Sequence, residues 1–255
     1  TSTKPAESIG VTSLDLPPTG FSLRRVHGRP IFGPRLLAMI AWMKSRAHCS
    51  YTTIEQYFDD VLQVPVSRGY LAKLCKGVIS QSLADAYEET KAAIPGQPQL
   101  GSDETSFKNN GKKNWVGCIS SALLTVFHIA TSRSRSVLAE VELTDGSVYD
   151  MSEDYFRLMD CQDLAPTNNH SEQQIRQVVI DRRITQGTRS ESGQRYHERV
   201  WTAIATCKKQ NKNFFEYLRT SIEAKLNGAP GTKPSSLASI SADECSRNTP
   251  KFLEH

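Results

Sequence analysis

The chain has 255 residues, a formal net charge of +4, 38% hydrophobic residues and 23% charged residues. This length allows one large domain or two small ones with a sizeable core, and the composition is that of a soluble globular protein. No run of roughly eighteen apolar residues is present, which excludes a membrane-spanning helix. The first residues lack the apolar segment of a secretory signal.

Cysteine spacing and charge distribution narrow the class of protein further. The six cysteines are far apart and form no C-x-x-C pair, which argues against a zinc ribbon and favours reduced thiols in the cytoplasm. Residues 16–54 carry six Lys or Arg and no acidic residue. Clustered positive charge suits a polyanionic partner, although solvated basic helix faces are common.

The two ends of the chain differ from the rest. Residues 1–32 are rich in Ser, Thr and Pro and are predicted to form a flexible arm. Residues 227–255 are rich in Gly, Pro, Ser and Thr and are predicted to be a disordered tail. The last three residues resemble the start of a vector-encoded histidine tag.

Residues 33–95 are predicted to be helical. Pro34 occupies a first helical position, Thr52 and Glu55 form a capping box, and Ser67 caps a third helix expected to run unbroken to Ile94. Two helices joined by a short turn could form a helix-turn-helix that reads DNA, with three basic residues on the second helix: Arg68, Lys73 and Lys76. The alternative is a helical bundle that packs on the rest of the protein.

Residues 96–226 are predicted to form an α/β domain. Residues 99–105 indicate a short strand ending in acids, residues 109–112 a hairpin turn, and residues 114–120 and 123–130 two more strands. A short helix and a strand ending at Asp145 follow, which is how a ribonuclease H-like sheet begins. Three further helices are expected: one capped by Asn168 or Asn169, one over 196–206 and one over 213–226.

Three carboxylates fall in an order that suits metal-dependent phosphodiester chemistry. Asp103 would end the first strand, Asp145 the strand after the helix, and Glu172 lies in the first turn of a helix. Two-metal catalysis needs such hard oxygen ligands around ions held ~3.5–4 Å apart. The alternative is that Asp103 is a solvated turn acid and Glu172 a helix-end charge paired with Arg176.

Two segments carry a resemblance to a known family. The run Gly-Ser-Asp-Glu-Thr around Asp103, followed by Trp115, resembles the "DET…W" signature of the transposases of insertion-sequence family sixty-six. The run from Pro166 to Gln173 is similar to that family's "P-x-N-N-x-x-E" motif around Glu172. The resemblance covers about residues 28–225 and implies a DDE-class enzyme with a ribonuclease H-like fold, in which Asp103 and Glu172 are the first and third catalytic acids.

The resemblance implies the following function. A Mg²⁺- or Mn²⁺-dependent transposase would cleave and transfer DNA strands during transposition of an insertion sequence, acting on double-stranded DNA at the element ends and the target. The active complex would be a homodimer or larger, in the bacterial cytoplasm and at the nucleoid when bound, with no membrane partner. Four arginines are expected to grip phosphates near the site, the alternative being ordinary surface charge: Arg176, Arg182, Arg183 and Arg189.

Two departures from the family pattern concern the second acid. The family's "D-G-Y-x-x-Y" segment is one residue short here, so that Asp145 is the expected second acid and Asp150 the fallback. Only 26 residues separate Asp145 from Glu172, and the family's long insertion is therefore missing near residues 146–160. These departures keep two alternatives open: a catalytically inactive, transposase-derived DNA-binding protein, and a different ribonuclease H-like nuclease.

Overall fold

The computed structural model describes residues 32–97, 100–131, 169–228 and 236–238. All of these belong to one compact unit. The predicted arm except Phe32, the helix and strand that lead to Asp145, and most of the tail lie outside the described residues. Within the described ranges no helix is long and apolar enough to cross a membrane.

In the described part of the chain, helices flank a three-stranded sheet. The helices before the sheet are α1 (Pro34–Ser45), α2 (Tyr51–Asp60), α3 (Arg68–Leu74), a π-helical turn (Cys75–Ile79), α4 (Ser80–Ser82) and α5 (Ala84–Ala93). The strands are β1 (Gly101–Asn109), β2 (Lys112–Ser120) and β3 (Thr125–Ala130). The helices after the sheet are α6 (Asn169–Thr185), α7 (Glu191–Lys209) and α8 (Phe214–Asn227). The predicted α/β class is confirmed.

The starts of α2 and α3 show which residues cap them. The predicted capping box is wrong, because α2 begins at Tyr51 and its cap is Ser50, whose Oγ accepts the backbone N–H of Thr53 at 3.0 Å. Glu55 is instead used by the next helix. Its carboxylate accepts the backbone N–H of Arg68 at 3.2 Å and lies 3.3 Å from the guanidinium of that residue.

The sequence pattern predicts a third helix that runs unbroken to Ile94. This prediction is wrong, because the helix is interrupted twice. Gly77 departs from helical geometry (φ −93°, ψ −109°), and the backbone around it forms wider π-helical turns. Leu83 (φ −102°, ψ 1°) separates α4 from α5. Glycine is among the poorest helix formers, which favours a break at Gly77. Cys75 and Ile79 on either side of it are buried, and their packing in the core is favoured over a regular helix here.

The sheet has the strand order β1-β2-β3, with both pairs antiparallel. Asn110 (φ 50°) and Gly111 (φ 77°) make the turn between β1 and β2, as a two-residue type I′ hairpin requires, and the predicted hairpin is confirmed. Asp103 pairs with Cys118 and is the third residue of a nine-residue strand. The expectation that the first strand ends at the acids is therefore wrong: β1 continues because Phe107 is buried in the core.

The core under the sheet is centred on Trp201 of α7, which is fully buried. Its ring contacts Phe107 of β1 and Phe127 of β3, with ring centroids 5.8 and 6.0 Å away. Phe107 thus belongs to the core. These contacts hold α7 across one face of the sheet.

Helix α7 also covers the outer edge of β3. Three alternate backbone N–H groups of the strand donate to side chains spaced four residues apart on the helix: Ile129 to Glu198 (2.8 Å), Phe127 to Thr202 (3.1 Å) and Thr125 to Thr206 (3.2 Å). Residues four apart lie on one helix face, so a single face of α7 satisfies these donors. The edge of β3 is thereby protected from pairing with another strand.

Buried charges join the helices before the sheet to those after it. Asp181 of α6 lies 3.6 Å from Lys44 of α1 and 3.1 Å from His197 of α7, and it accepts the indole N–H of Trp201 at 3.3 Å. Burial acts to raise the pKa of Asp181, but His197 and Lys44 lower it below its ordinary value. Because this carboxylate links three helices, α1 is part of the same core.

The segment from α2 to α3 is the predicted DNA reader. The two helices are joined by residues 61–67, and Ser67 caps α3 as predicted, with its Oγ accepting the N–H of Tyr70 at 3.3 Å. Phe32, Phe58 and Tyr70 form an aromatic cluster that packs this corner. The helix-turn-helix assignment stays a prediction.

Candidate active site

Asp103 lies on the face of β1 that is covered by helices. Side chains alternate along a strand, so Asp103 shares its face with Thr105 and Phe107. Phe107 on this face packs on α7, and Thr105 contacts α6. The strand therefore aims the carboxylate of Asp103 toward the helical layer.

The environment of Asp103 makes ionisation of its carboxyl group less favourable than it is in water. Burial raises the pKa of its carboxyl group, and the negative charges of Glu172 and Glu104 raise it further. The backbone N–H of Glu104, which donates to Oδ1 of Asp103 at 2.7 Å, acts in the opposite direction. Two acids from distant parts of the chain thus interact in space, since Glu172 lies on α6.

Glu172 is in the first turn of α6 and is exposed. The first turn of a helix carries a partial positive charge and stabilises a carboxylate there. Because of this preference, the sequence also allows Glu172 to be a helix-end charge and not a catalytic acid. Glu172 also acts electrostatically on Asp103, and whether it is a catalytic acid or a helix-end charge stays a prediction.

The other predicted acids cannot be placed. Asp145 and Asp150 lie outside the described residues, so the second acid stays a prediction. Among residues 32–97, 100–131, 169–228 and 236–238, no group of three or more His, Cys, Asp and Glu side chains could hold a metal ion. Of the three expected acids, Asp103 and Glu172 lie in the described part of the chain.

Arg182 connects the two elements that carry these acids. Its Nη1 donates to Oγ1 of Thr105 at 2.9 Å, to the carbonyl oxygen of Ser106 at 2.5 Å and to Oγ of Ser106 at 2.9 Å. The sequence pattern suggests phosphate binding for Arg182 and does not indicate these contacts. The sequence feature that could have indicated these contacts is the pair of hydroxyl residues, Thr105 and Ser106, directly after the acidic run of β1.

The loop after α6 is joined to the hairpin of β1 and β2. The backbone N–H of Thr188 donates to the carbonyl oxygen of Lys108 at 2.9 Å, and that of Asn110 donates to the carbonyl oxygen of Thr188 at 2.7 Å. The hydroxyl of Thr188 also donates to Oδ1 of Asn109 at 3.0 Å. The Thr188 backbone thus continues the pairing of the hairpin at its tip.

Helix α7 begins earlier than the sequence predicted. The predicted start at residue 196 is wrong, because Ser190 caps a helix whose first residue is Glu191. The Oγ of Ser190 accepts the N–H of Gly193 at 3.2 Å. Residues 185–193 are rich in Gly, Ser and Thr, which also favour loops. The sequence therefore predicted a loop where the first turn of α7 lies.

The remaining basic residues proposed to bind DNA are mostly accessible. Arg68 is exposed and forms the ion pair with Glu55 described above. The other members are exposed except for the half-buried Lys76: Lys73, Lys76, Arg176, Arg183 and Arg189. Their exposure is compatible with DNA binding and equally with ordinary surface charge, so this role stays a prediction.

Comparison with protein families matches residues 29–156, about half of the chain, to the Transposase IS66 family. The chain belongs to this family, which confirms the resemblance found in the sequence and makes DNA processing its general function. The matched segment includes Asp103 and Asp145 and ends before Glu172. Comparisons with curated proteins and with solved structures found no match.

Proposed function

We propose that this chain is a metal-dependent DDE transposase that cleaves and transfers DNA strands, with Asp103 and Glu172 as the first and third acids. The observation that carries the proposal is the electrostatic interaction of these two carboxylates, one on β1 and one at the start of α6. A carboxylate whose ionisation is disfavoured by burial and by a second negative charge is stabilised by a bound cation.

The donor chemistry of the pair fits a divalent cation. Mg²⁺ and Mn²⁺ prefer oxygen ligands, and Asp103 and Glu172 supply carboxylate oxygens from two different elements. We propose Asp145 as the second acid, with Asp150 as the fallback. The cations, when bound, would stabilise the attacking and leaving oxygens of the phosphodiester.

The residues themselves would position these ligands. β1 fixes Asp103 through its pairing with β2, and the core around Trp201 keeps that strand in place. α6 fixes Glu172 and is itself attached to β1 through Arg182. We propose that this arrangement belongs to a ribonuclease H-like fold, with the strand to Asp145 beside β1.

DNA would be bound by the exposed basic residues. Arg176, Arg183 and Arg189 follow Glu172 along α6 and the loop after it, where they could contact phosphates without reading sequence. The α2–α3 segment, with Arg68, Lys73 and Lys76, is the proposed reader of double-stranded DNA at the element ends. The active complex is proposed to be a homodimer or larger and to act at the bacterial nucleoid.

A cleavage assay tests this proposal. A supercoiled plasmid carrying the DNA that flanks the gene for this chain should be nicked and joined in Mg²⁺ or Mn²⁺, and Asp103→Asn and Glu172→Gln should each abolish both reactions. Asp85→Asn, which changes an exposed acid on α5, is the matched control and should react like the wild type. DNA binding without reaction by the wild type would support the inactive DNA-binding alternative, and nicking without joining would support a nuclease.

A further inference from the structure

We infer that Arg182 is a positioning residue for this site, which fixes the helix carrying Glu172 against the strand carrying Asp103. The inference rests on the proposed function. It differs from the role that the sequence suggested for Arg182, which was contact with a DNA phosphate.

The acceptors of Arg182 surround one point at the edge of β1. Oγ1 of Thr105 belongs to the face that Asp103 occupies, whereas Oγ of Ser106 belongs to the opposite face, because neighbouring strand side chains alternate. The carbonyl oxygen of Ser106 lies between them in the plane of the sheet. Because these acceptors hold Arg182 from three directions, the Arg182 guanidinium resists both sliding along β1 and rotation about it.

The tether determines where the start of α6 lies. Glu172 and Arg182 are ten residues apart, which is about 15 Å along a helix axis. Asp103 precedes Thr105 and Ser106 by two and three residues, or about 7–10 Å along a strand. The pairing of Thr188 with Lys108 holds the next stretch of chain near the end of β1, so α6 runs along β1 with its first turn toward Asp103.

The attachment of α6 to β1 also fixes the relative position of the two acids. Glu172 lies in the first turn of α6, and Asp103 is the third residue of β1. Arg182 is a side chain through which α6 makes direct polar contacts with β1. Loss of these bonds would leave Glu172 free to shift relative to Asp103.

Arginine suits this role better than lysine. The guanidinium is planar and permanently charged, whereas an ammonium group is a compact, strongly hydrated charge on a flexible stem. Hydrogen bonds from a charged donor are stronger than those between neutral groups. We therefore expect Arg182→Lys to retain part of the function and Arg182→Met to lose more.

Mn²⁺ affinity of the whole chain, measured by calorimetry without DNA, tests the inference. Arg182→Met should weaken Mn²⁺ binding by about 10- to 100-fold, the usual effect of removing a group that orients a metal ligand. Thr105→Val should also weaken Mn²⁺ binding, although it keeps the arginine and the shape of the site. This second variant tests the inference if Arg182→Met fails to fold. Thr202→Val, which removes a hydrogen bond on α7, is the matched control for lost stability and should bind Mn²⁺ like the wild type.

DNA binding in metal-free buffer separates positioning from phosphate contact. If Arg182 positions α6, Arg182→Met should leave the slope of log affinity against log salt unchanged. A slope reduced by about one unit, together with unchanged Mn²⁺ affinity, would show a phosphate contact and overturn the inference. Wild-type Mn²⁺ affinity in both Arg182→Met and Thr105→Val would also overturn it and leave the proposed function intact. Absence of Mn²⁺ binding by the wild type would overturn the proposed metal site and this inference together.

Discussion

A Cβ atom at Gly187 would lie 2.1 Å from the carbonyl oxygen of Lys108, and Gly187 has a positive φ of 97°. The contact is to backbone atoms of β1, which cannot move without disturbing the hairpin. Glycine is therefore required at this position for two separate reasons, close approach and backbone conformation.

Gly187→Ala should consequently destabilise the fold by at least about 2 kcal/mol, because strain and overpacking act together. Chemical denaturation of both proteins measures this change. Gly111→Ala is the matched control, since Gly111 also has a positive φ (77°) but no atom within 4 Å of its would-be Cβ. Equal destabilisation by the two substitutions would show that the contact with Lys108 has no energetic effect.

The buried carboxylate of Asp181 should make stability depend on pH in the acid range. Because the pKa of Asp181 in the folded protein lies below its ordinary value, its contribution is present above that ordinary value and is lost as the pH falls through the folded pKa. Melting temperatures from pH 7 down to pH 2 should fall more steeply for the wild type than for Asp181→Asn. Parallel curves would contradict this account.

At neutral pH, Asp181→Asn should cost about 3–5 kcal/mol, because Lys44 would remain as a buried charge without its carboxylate. Adding Lys44→Met removes that charge, and the double variant should be more stable than Asp181→Asn alone. Urea denaturation of the wild type, both single variants and the double variant measures the coupling. Strictly additive effects would show that the two groups do not interact.

The covering of the β3 edge by α7 predicts the effect of Thr202→Val. The substitution keeps the shape of the side chain and leaves the buried N–H of Phe127 without its acceptor, which should cost about 1–3 kcal/mol. Thr220→Val on the exposed face of α8 is the control and should change the free energy of unfolding by less than about 0.5 kcal/mol. A neutral Thr202→Val would mean that water or another group satisfies this N–H.

Part of this architecture could be predicted from the sequence because its determinants are local. The Asn110-Gly111 pair specifies the hairpin turn, and Ser67 specifies the start of α3 by its own hydrogen bond. Asp103 and Glu172 stand in short motifs in which the acid itself is conspicuous, and their catalytic role stays a prediction.

The contacts that escaped prediction join residues far apart in the chain. Arg182 binds residues 76 and 77 positions away, and Asp181 joins α1 to α7. A basic residue on a helix has the same local pattern whether it faces solvent, DNA or a strand edge. Which of these it meets depends on the packing of the whole chain.

The exposed arginines near the site should give DNA binding a measurable dependence on salt. Changing Arg183 and Arg189 together to Met should lower the slope of log affinity against log salt by about two units, because each phosphate contact releases counterions. Filter binding or fluorescence anisotropy over a range of salt concentrations measures this slope. An unchanged slope would remove both residues from the DNA interface.

The most direct test of the central claim is a crystal structure with Mn²⁺, in which anomalous scattering locates the metal. We predict an anomalous peak with carboxylate oxygens of Asp103 and Glu172 around it, each ligand within about 2.0–2.6 Å of a metal ion. Asp145, or Asp150 in its place, should complete the ligand set. Carboxylates of Asp103 and Glu172 more than roughly 12 Å apart, with no Mn²⁺ peak at either, would contradict the proposal, because ligands bind metals only at those short distances.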